Sequence, residues 1–221
     1  MGKKIICLGG QGDPASIGKA IVDANQRGYD EWEFVGFLND RIKVGTILEE
    51  FPVLGSLDQV QAFIEKGYYF INGITRIDGN RMRIELLESL SIPESRLATF
   101  IHPTAYVAPG VVFCPGCVIM PNVCISPENR FGKCCIVLQG ATIGHNNLIS
   151  DYCHISAQAC LGAYIKIGQG CHIGMNSTIQ ENISIGDNST LGMGSVLHKN
   201  IGDNEIWSGF PARFLRRPYE D

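Results

Sequence analysis

Every sixth residue from Ile101 to Leu197 is large and apolar. In order these are Ile101, Val107, Phe113, Ile119, Ile125, Phe131, Val137, Ile143, Ile149, Ile155, Leu161, Ile167, Ile173, Ile179, Ile185, Leu191 and Leu197. An amphipathic helix repeats near 3.6 residues and a half-buried strand every two, so neither produces a period of six. A chain that turns a corner in each hexad does. The spacing predicts a parallel β-helix with three hexads per coil, a triangular prism.

The rest of the hexad fits that reading. Four residues after the apex the side chain is usually small or β-branched, as in Ala105, Val111, Cys117, Val123, Cys171, Ser177 and Ser189. Cys117, Cys135, Cys153 and Cys171 share one column and are expected to stack. Asn129 and Asn147 fall in the same inward column, where a stacked coil can satisfy their amides along its ladder. Glycines follow many apices (Gly132, Gly144, Gly162, Gly168, Gly174, Gly186 and Gly192). They are expected to supply unusual backbone angles at the corners.

Residues 1–95 lack the six-period. Lys4 to Leu8 is a short apolar run followed by Gly9, Gly10 and Gly12. A helical pattern follows, with Ile17, Ala20, Ile21 and Ala24 on one face and Gly28 as a stop. Phe34 to Leu38 and Tyr68 to Ile71 read as further strands, the second leading to Gly73. Ser56 is placed as an N-cap for a helix carrying Leu57, Val60, Phe63 and Ile64. Residues 79–90 read as helical. This order suggests a small parallel sheet flanked by helices.

The glycine loop admits two readings: a phosphate cradle at a helix N-terminus, or a strand-to-helix turn that needs glycine. Asp13-Pro14-Ala15 is expected to lengthen it. Asp40 sits where a doubly wound fold contacts a ribose or base, or is an exposed turn carboxylate.

A formal net charge of −4 disfavours nucleic acid as a partner. No apolar run approaches membrane-spanning length, and no signal peptide or myristoylation pattern opens the chain. Nine cysteines without C-x2-C spacing read as reduced packing thiols in a cytoplasmic protein, with no metal.

Of the five histidines, His102 is expected to be structural and His198 to lie on the surface. His154 and His172 should stack. His145, two residues after the Ile143 apex, faces outward in Gly144-His145-Asn146-Asn147. From position alone it is a surface histidine.

Five stretches change its standing. They are Ile101-His102-Pro103-Thr104-Ala105, Gln139-Gly140-Ala141-Thr142-Ile143-Gly144-His145, Asp151-Tyr152-Cys153-His154-Ile155-Ser156, Ile165-Lys166-Ile167-Gly168 and Ser208-Gly209-Phe210-Pro211-Ala212-Arg213. With the hexads and the short front domain, they resemble the nucleotide-sugar acetyltransferases of the left-handed β-helix superfamily. That group acetylates bacillosamine, perosamine and related 4-amino-sugars, and includes sialic-acid O-acetyltransferases. The resemblance implies an α/β Rossmann-like nucleotide-sugar-binding domain over 1–95 and an all-β left-handed β-helix over 96–221. It implies a homotrimer, with acetyl-CoA lying between neighbouring prisms.

Position by position, the resemblance makes His145 the general base. His154 would contact the acetyl-thioester region, and Ala163 would offer a backbone N–H to the thioester carbonyl. Gly9, Gly10, Gly12, Asp40 and Gly73 would hold the sugar nucleotide. Lys166, Arg213 and Arg216 are candidates for the coenzyme A phosphates. Asn146 stands where the family commonly carries Glu or Asp, so it would raise the histidine pKa less. The activity expected is N-acetylation of a nucleotide-linked amino-sugar, such as a 4-amino-4,6-dideoxy hexose. Sugar O-acetylation, a non-catalytic trimeric module and a carbonic-anhydrase-type β-helix are the alternatives.

Overall fold

The computed structural model describes residues 2–219. The front region holds β1 (Lys3–Leu8), α1 (Asp13–Gln26), β2 (Trp32–Leu38), β3 (Ile47–Leu48), β4 (Phe51–Gly55), α2 (Val60–Glu65), β5 (Tyr69–Asn72) and α3 (Arg81–Ser89). The sheet order is β3-β4-β2-β1-β5, with β3 antiparallel to β4 and the other pairings parallel. The β3–β4 hairpin was not expected. Its turn is made by Glu49 (φ 48°) and Glu50 (φ 82°), without the glycine or asparagine that usually marks such a reversal.

Two further expectations are corrected. Asp13 and Pro14 do not lengthen the glycine loop, because α1 begins at Asp13 with Gly12 as its N-cap. Proline in a first helical turn loses no hydrogen bond, and its fixed φ suits the helix. Ser56 does hold the N-cap position of the helical segment that begins at Leu57, but its side chain makes no capping bond. The Asp40 carboxylate instead accepts the Leu57 N–H at 2.7 Å.

From Phe100 the chain forms two-residue strands at each apex and coils upward. Strand pairs one coil apart are parallel and 18 residues apart, as in Thr142 with Cys160 and His154 with His172. Three sheets result. The first face runs from Phe100–Ile101 to Thr190–Leu191, the second from Tyr106–Val107 to Val196–Leu197, and the third from Val112–Phe113 to Ser184–Ile185. An antiparallel hairpin, Ile206–Gly209 with Ala212–Arg216, closes the first face.

The apices from Ile119 onward fill the prism with the inward small column. Ile101 is 41% exposed because it belongs to the bottom coil, where no coil lies beneath it. Asn129 and Asn147 are fully buried and satisfied by the ladder. Asn129 Nδ2 donates to the Ser126 and Gly144 carbonyls at 2.6 and 2.8 Å, and its Oδ1 accepts the Asn147 N–H at 3.0 Å. The thiols of Cys117, Cys135, Cys153 and Cys171 donate to the carbonyls of Gly132, Ser150, Gly168 and Gly186 at 3.0–3.1 Å.

The glycines after the apices have a different cause from the one expected. The left-handed φ values fall three residues after the apex, at Asn122, Glu128, Cys134, Asn146, Tyr152, Tyr164 and others. A Cβ on Gly144 would lie 2.4 Å from the Gly162 carbonyl oxygen of the next coil. Glycine there permits coil-to-coil approach.

The front sheet packs on the first prism face. Ile5, Phe34, Phe37 and Ile71 share a core with Phe100, Val118, Ile136 and Leu138. α1 lies along the corner between the first and second faces, and α3 along the corner between the third and first. No helix among the described residues is long and apolar enough to cross a membrane.

Candidate active site

His145 and Asn146 occupy the corner between the second and third faces, and both are exposed. Asn146 takes φ 58°, a left-handed conformation that asparagine tolerates better than most residues. Its Oδ1 lies 2.9 Å from His145 Nδ1. An amide oxygen only accepts, so Nδ1 carries the proton and Nε2 presents its lone pair outward. Tyr164 sits one coil above Asn146. Its N–H donates to the His145 carbonyl at 3.1 Å, and its ring meets the imidazole edge-on at 5.1 Å. The 18-residue period would have found Tyr164 in the sequence. Ala163 stands one coil above His145 and is half-buried.

His154 is elsewhere, on the first face beneath the front domain, and is 5% exposed. Its Nε2 lies 2.8 Å from Asp13 Oδ2, in the first turn of α1. It stacks on His172 at 4.9 Å and 14°, as expected. Ser156 Oγ stands 3.4 Å from His154 Nδ1 and 3.3 Å from His172 Nε2. The hydrogen bond from His154 holds the Asp13 carboxyl below its ordinary range. Burial, with His154 adding to it, pushes His172 down to about 3, so it is neutral. Asp13 escaped the sequence reading. The signal available was an Asp-Pro pair directly after glycine, a helix-start pattern. His102, 1% exposed, ties the first coil to α1 through Asp23 at 2.9 Å.

The glycine loop lies at the carboxyl end of β1, beside His154. Gly9 (φ 125°) and Gly73 pack against each other and against Pro14, where a Cβ on Gly73 would stand 2.6 Å from the proline ring. Gly12 (φ 81°) faces open space. A cleft of about 460 Å³ opens there, lined by Gln11, Gly12, Ser16, Lys19 and the β3–β4 turn. Gly10 packs near Asn39, Ile42 and Leu48. Asp40 is exposed and spends one oxygen on Leu57, so it has a structural duty at that position.

Lys166 projects from the third face between Leu148 and Ser184, and Arg213 is exposed on the closing hairpin. Arg216 is not available as expected. Both its terminal nitrogens bind Asp78, at 2.9 and 3.0 Å, and its guanidinium stacks on Tyr219 at 4.0 Å. Among the described residues no cluster of three or more His, Cys, Asp or Glu could hold a metal ion.

Residues 164–199 match the family model "Bacterial transferase hexapeptide (six repeats)". The chain is similar to the acetyltransferase domain of PglB from Neisseria gonorrhoeae, solved with acetyl coenzyme A. Identity is 26%, with 97% of this chain and 100% of that one covered and a TM-score of 0.82. The chain is an acyltransferase on a left-handed β-helix fold. The acyltransferase shares its fold with a variant of perosamine N-acetyltransferase from Caulobacter crescentus in complex with CoA and GDP-perosamine. Identity there is 21%, coverage 96% and 97%, and the TM-score 0.79. It also shares its fold with WeeI from Acinetobacter baumannii, at 21% identity, 96% and 100% coverage and a TM-score of 0.72. No curated protein sequence matches the acyltransferase significantly.

Proposed function

We propose that this acyltransferase moves the acetyl group of acetyl-CoA to the amine of a nucleotide-linked amino-sugar, a 4-amino-4,6-dideoxy hexose. The observation that carries the reading is the orientation of His145: Nδ1 is held by Asn146, and the outward Nε2 is a free base. As the amine attacks the thioester carbonyl, Nε2 takes its proton. The tetrahedral adduct then collapses and the thiolate leaves. Help of this kind is typically worth ~10²–10⁴-fold. The Ala163 N–H, one coil away, would face the developing oxyanion. Much of the remaining acceleration would come from holding amine and thioester together.

The sugar nucleotide would occupy the cleft at Gly12, with Gly9, Gly10 and Gly73 shaping the loop and Asp40, two residues past β2, as a further contact. His145 and this loop stand at different corners of one prism. A neighbouring subunit that brings its His145 corner to this chain's loop would complete the site, which supports a homotrimer. Lys166 and Arg213 are exposed cations suited to coenzyme A phosphates. Nine free thiols fit the reducing cytoplasm. The PglB acetyltransferase domain with acetyl coenzyme A, and the GDP-perosamine complex of similar fold, support this substrate pair.

The test is a thiol-release assay with acetyl-CoA against UDP-, GDP- and dTDP-linked 4-amino-6-deoxy sugars. One sugar should release thiol with wild type and fail with His145→Ala. Release with hydroxyl acceptors alone would convert the reading to O-acetylation.

A further inference from the structure

The left-handed corner positions of the prism are mostly Gly and Asn, which adopt such angles at least cost. Along the corner of His145 they are Gly110, Glu128, Asn146, Tyr164 and Asn182. A tyrosine is an awkward occupant, and the prism places two in this conformation, Tyr152 and Tyr164, both at φ 58°. Tyr152 is buried, and its hydroxyl is spent on Glu88. Tyr164 is 54% exposed, so burial does not account for it. Among the described residues its ring neighbour is His145, whose plane it crosses at 89° with 5.1 Å between centroids. A bulky residue held in a sparsely populated conformation at a site is an outlier that calls for a function.

We propose that Tyr164 is a positioning residue for His145, steadying the imidazole so that Nε2 stays the outward free base; the inference rests on the acetyl-transfer reading of that histidine. Asn146 Oδ1 holds Nδ1 at 2.9 Å. That oxygen carries no charge, and a hydrogen bond with an ionised partner is roughly twice as strong as a neutral one. Both residues are exposed, so water competes for Nδ1. Which nitrogen carries the proton is set by the hydrogen bond the other makes. Loss of the Asn146 bond therefore lets Nε2 take up the proton, and a protonated Nε2 is no base. A second restraint on the ring guards against this.

Tyr164 is built to give that restraint. Edge-to-face ring pairs are favoured electrostatically, by the equivalent of ~2–13-fold in population. The tyrosine stands on a fixed backbone. Its N–H donates to the His145 carbonyl of the coil below at 3.1 Å, and the Ala163 carbonyl accepts the Asn182 N–H of the coil above at 2.9 Å. The contact is one of ring planes, so it does not require the hydroxyl.

Tyr164→Phe and Tyr164→Asn test the proposal in the full chain. Asn146 and Asn182 already hold this corner conformation at φ 58° and 60°, so Tyr164→Asn should keep the backbone, and circular dichroism checks it. Long-range proton–nitrogen correlation spectra of His145, recorded without substrate at about pH 8.5 where an ordinary imidazole is neutral, read the tautomer. Wild type and Tyr164→Phe should show Nδ1 protonated, and Tyr164→Asn should shift toward the averaged pattern. In the acetyl-transfer assay Tyr164→Asn should lower kcat by ~3–10-fold with KM for acetyl-CoA within ~2-fold, whereas Tyr164→Phe should keep kcat within ~2-fold of wild type. An unchanged His145 tautomer in Tyr164→Asn would overturn the proposal. So would an equal loss of kcat in both variants, since the hydroxyl and not the ring would then be the working group. Wild type that transfers no acetyl group would overturn the activity reading and the base role with it, whatever the tautomer shows.

Discussion

Asp13 and His154 meet at 2.8 Å although 141 residues separate them in the chain. One belongs to the helix that follows the glycine loop, the other to the prism. The pair fastens the glycine loop to the prism face, and His172, stacked behind His154, backs the imidazole. Any shift of the loop is therefore felt by His154.

Asp13→Asn keeps the shape and removes the charge. The folded carboxyl has a lowered pKa, so it contributes stability above its unfolded value near 3.9 and loses it as pH falls. The variant should be less stable by about 1 kcal/mol at pH 7, after allowance for its partial exposure. The difference should fade below about pH 3.5. Urea midpoints at both pH values measure it; equal offsets at both would show that the charge is immaterial.

His172 supplies a second pH signature. It is neutral when folded, with a pKa of about 3, and takes a proton when unfolded below about 6.5. The unfolded state then binds more protons, so stability falls as pH drops from 6.5 toward 3. The slope from one such group is at most about 1.4 kcal/mol per pH unit. His172→Phe should flatten the curve in that window. Denaturation curves at pH 7, 5.5 and 4.5 that keep the wild-type slope would remove the assignment.

How much of this was legible in the sequence follows from what each feature requires. The prism was, because every coil must present the same apex to the same interior, and a repeated packing demand leaves a repeated residue. The stacked His154–His172 pair followed from the coil period. The role of Gly144 was not legible, since a close approach and an unusual φ select the same residue. The β3–β4 hairpin hid behind Glu49 and Glu50, whose left-handed φ values carry no composition signal. Asp13 was invisible as a partner of His154 because only the docking of two regions brings them together. The Asp40 cap of Leu57 was missed for the same reason.

Gly144→Ala separates the two glycine roles. Its Cβ would meet the Gly162 carbonyl at 2.4 Å, a rigid backbone contact. The expected cost is about 3 kcal/mol or more, near the upper end for forced overpacking. Gly12→Ala meets nothing within 4 Å and carries only the backbone penalty of φ 81° with ψ −128°, a region that favours glycine, of ~1–3 kcal/mol. Thermal melts of the two variants should rank them in that order; a reversed ranking would mean that the coils can part at Gly144.

The last prediction concerns the base itself. His145→Ala should lower kcat by ~10²–10⁴-fold while KM for acetyl-CoA hardly moves. Asn146→Asp refines the point. Aspartate also tolerates φ 58°, and Glu128 already occupies the equivalent corner position at φ 60°. The fold should therefore be kept. A carboxylate at His145 Nδ1 stabilises the imidazolium, so the histidine should titrate at a higher pH. The acid limb of the kcat profile reports the loss of the free base, and it should move upward in the variant. Nuclear magnetic resonance titration of His145 should show the same displacement without substrate. A kinetic shift with no matching resonance shift would place the titrating group elsewhere.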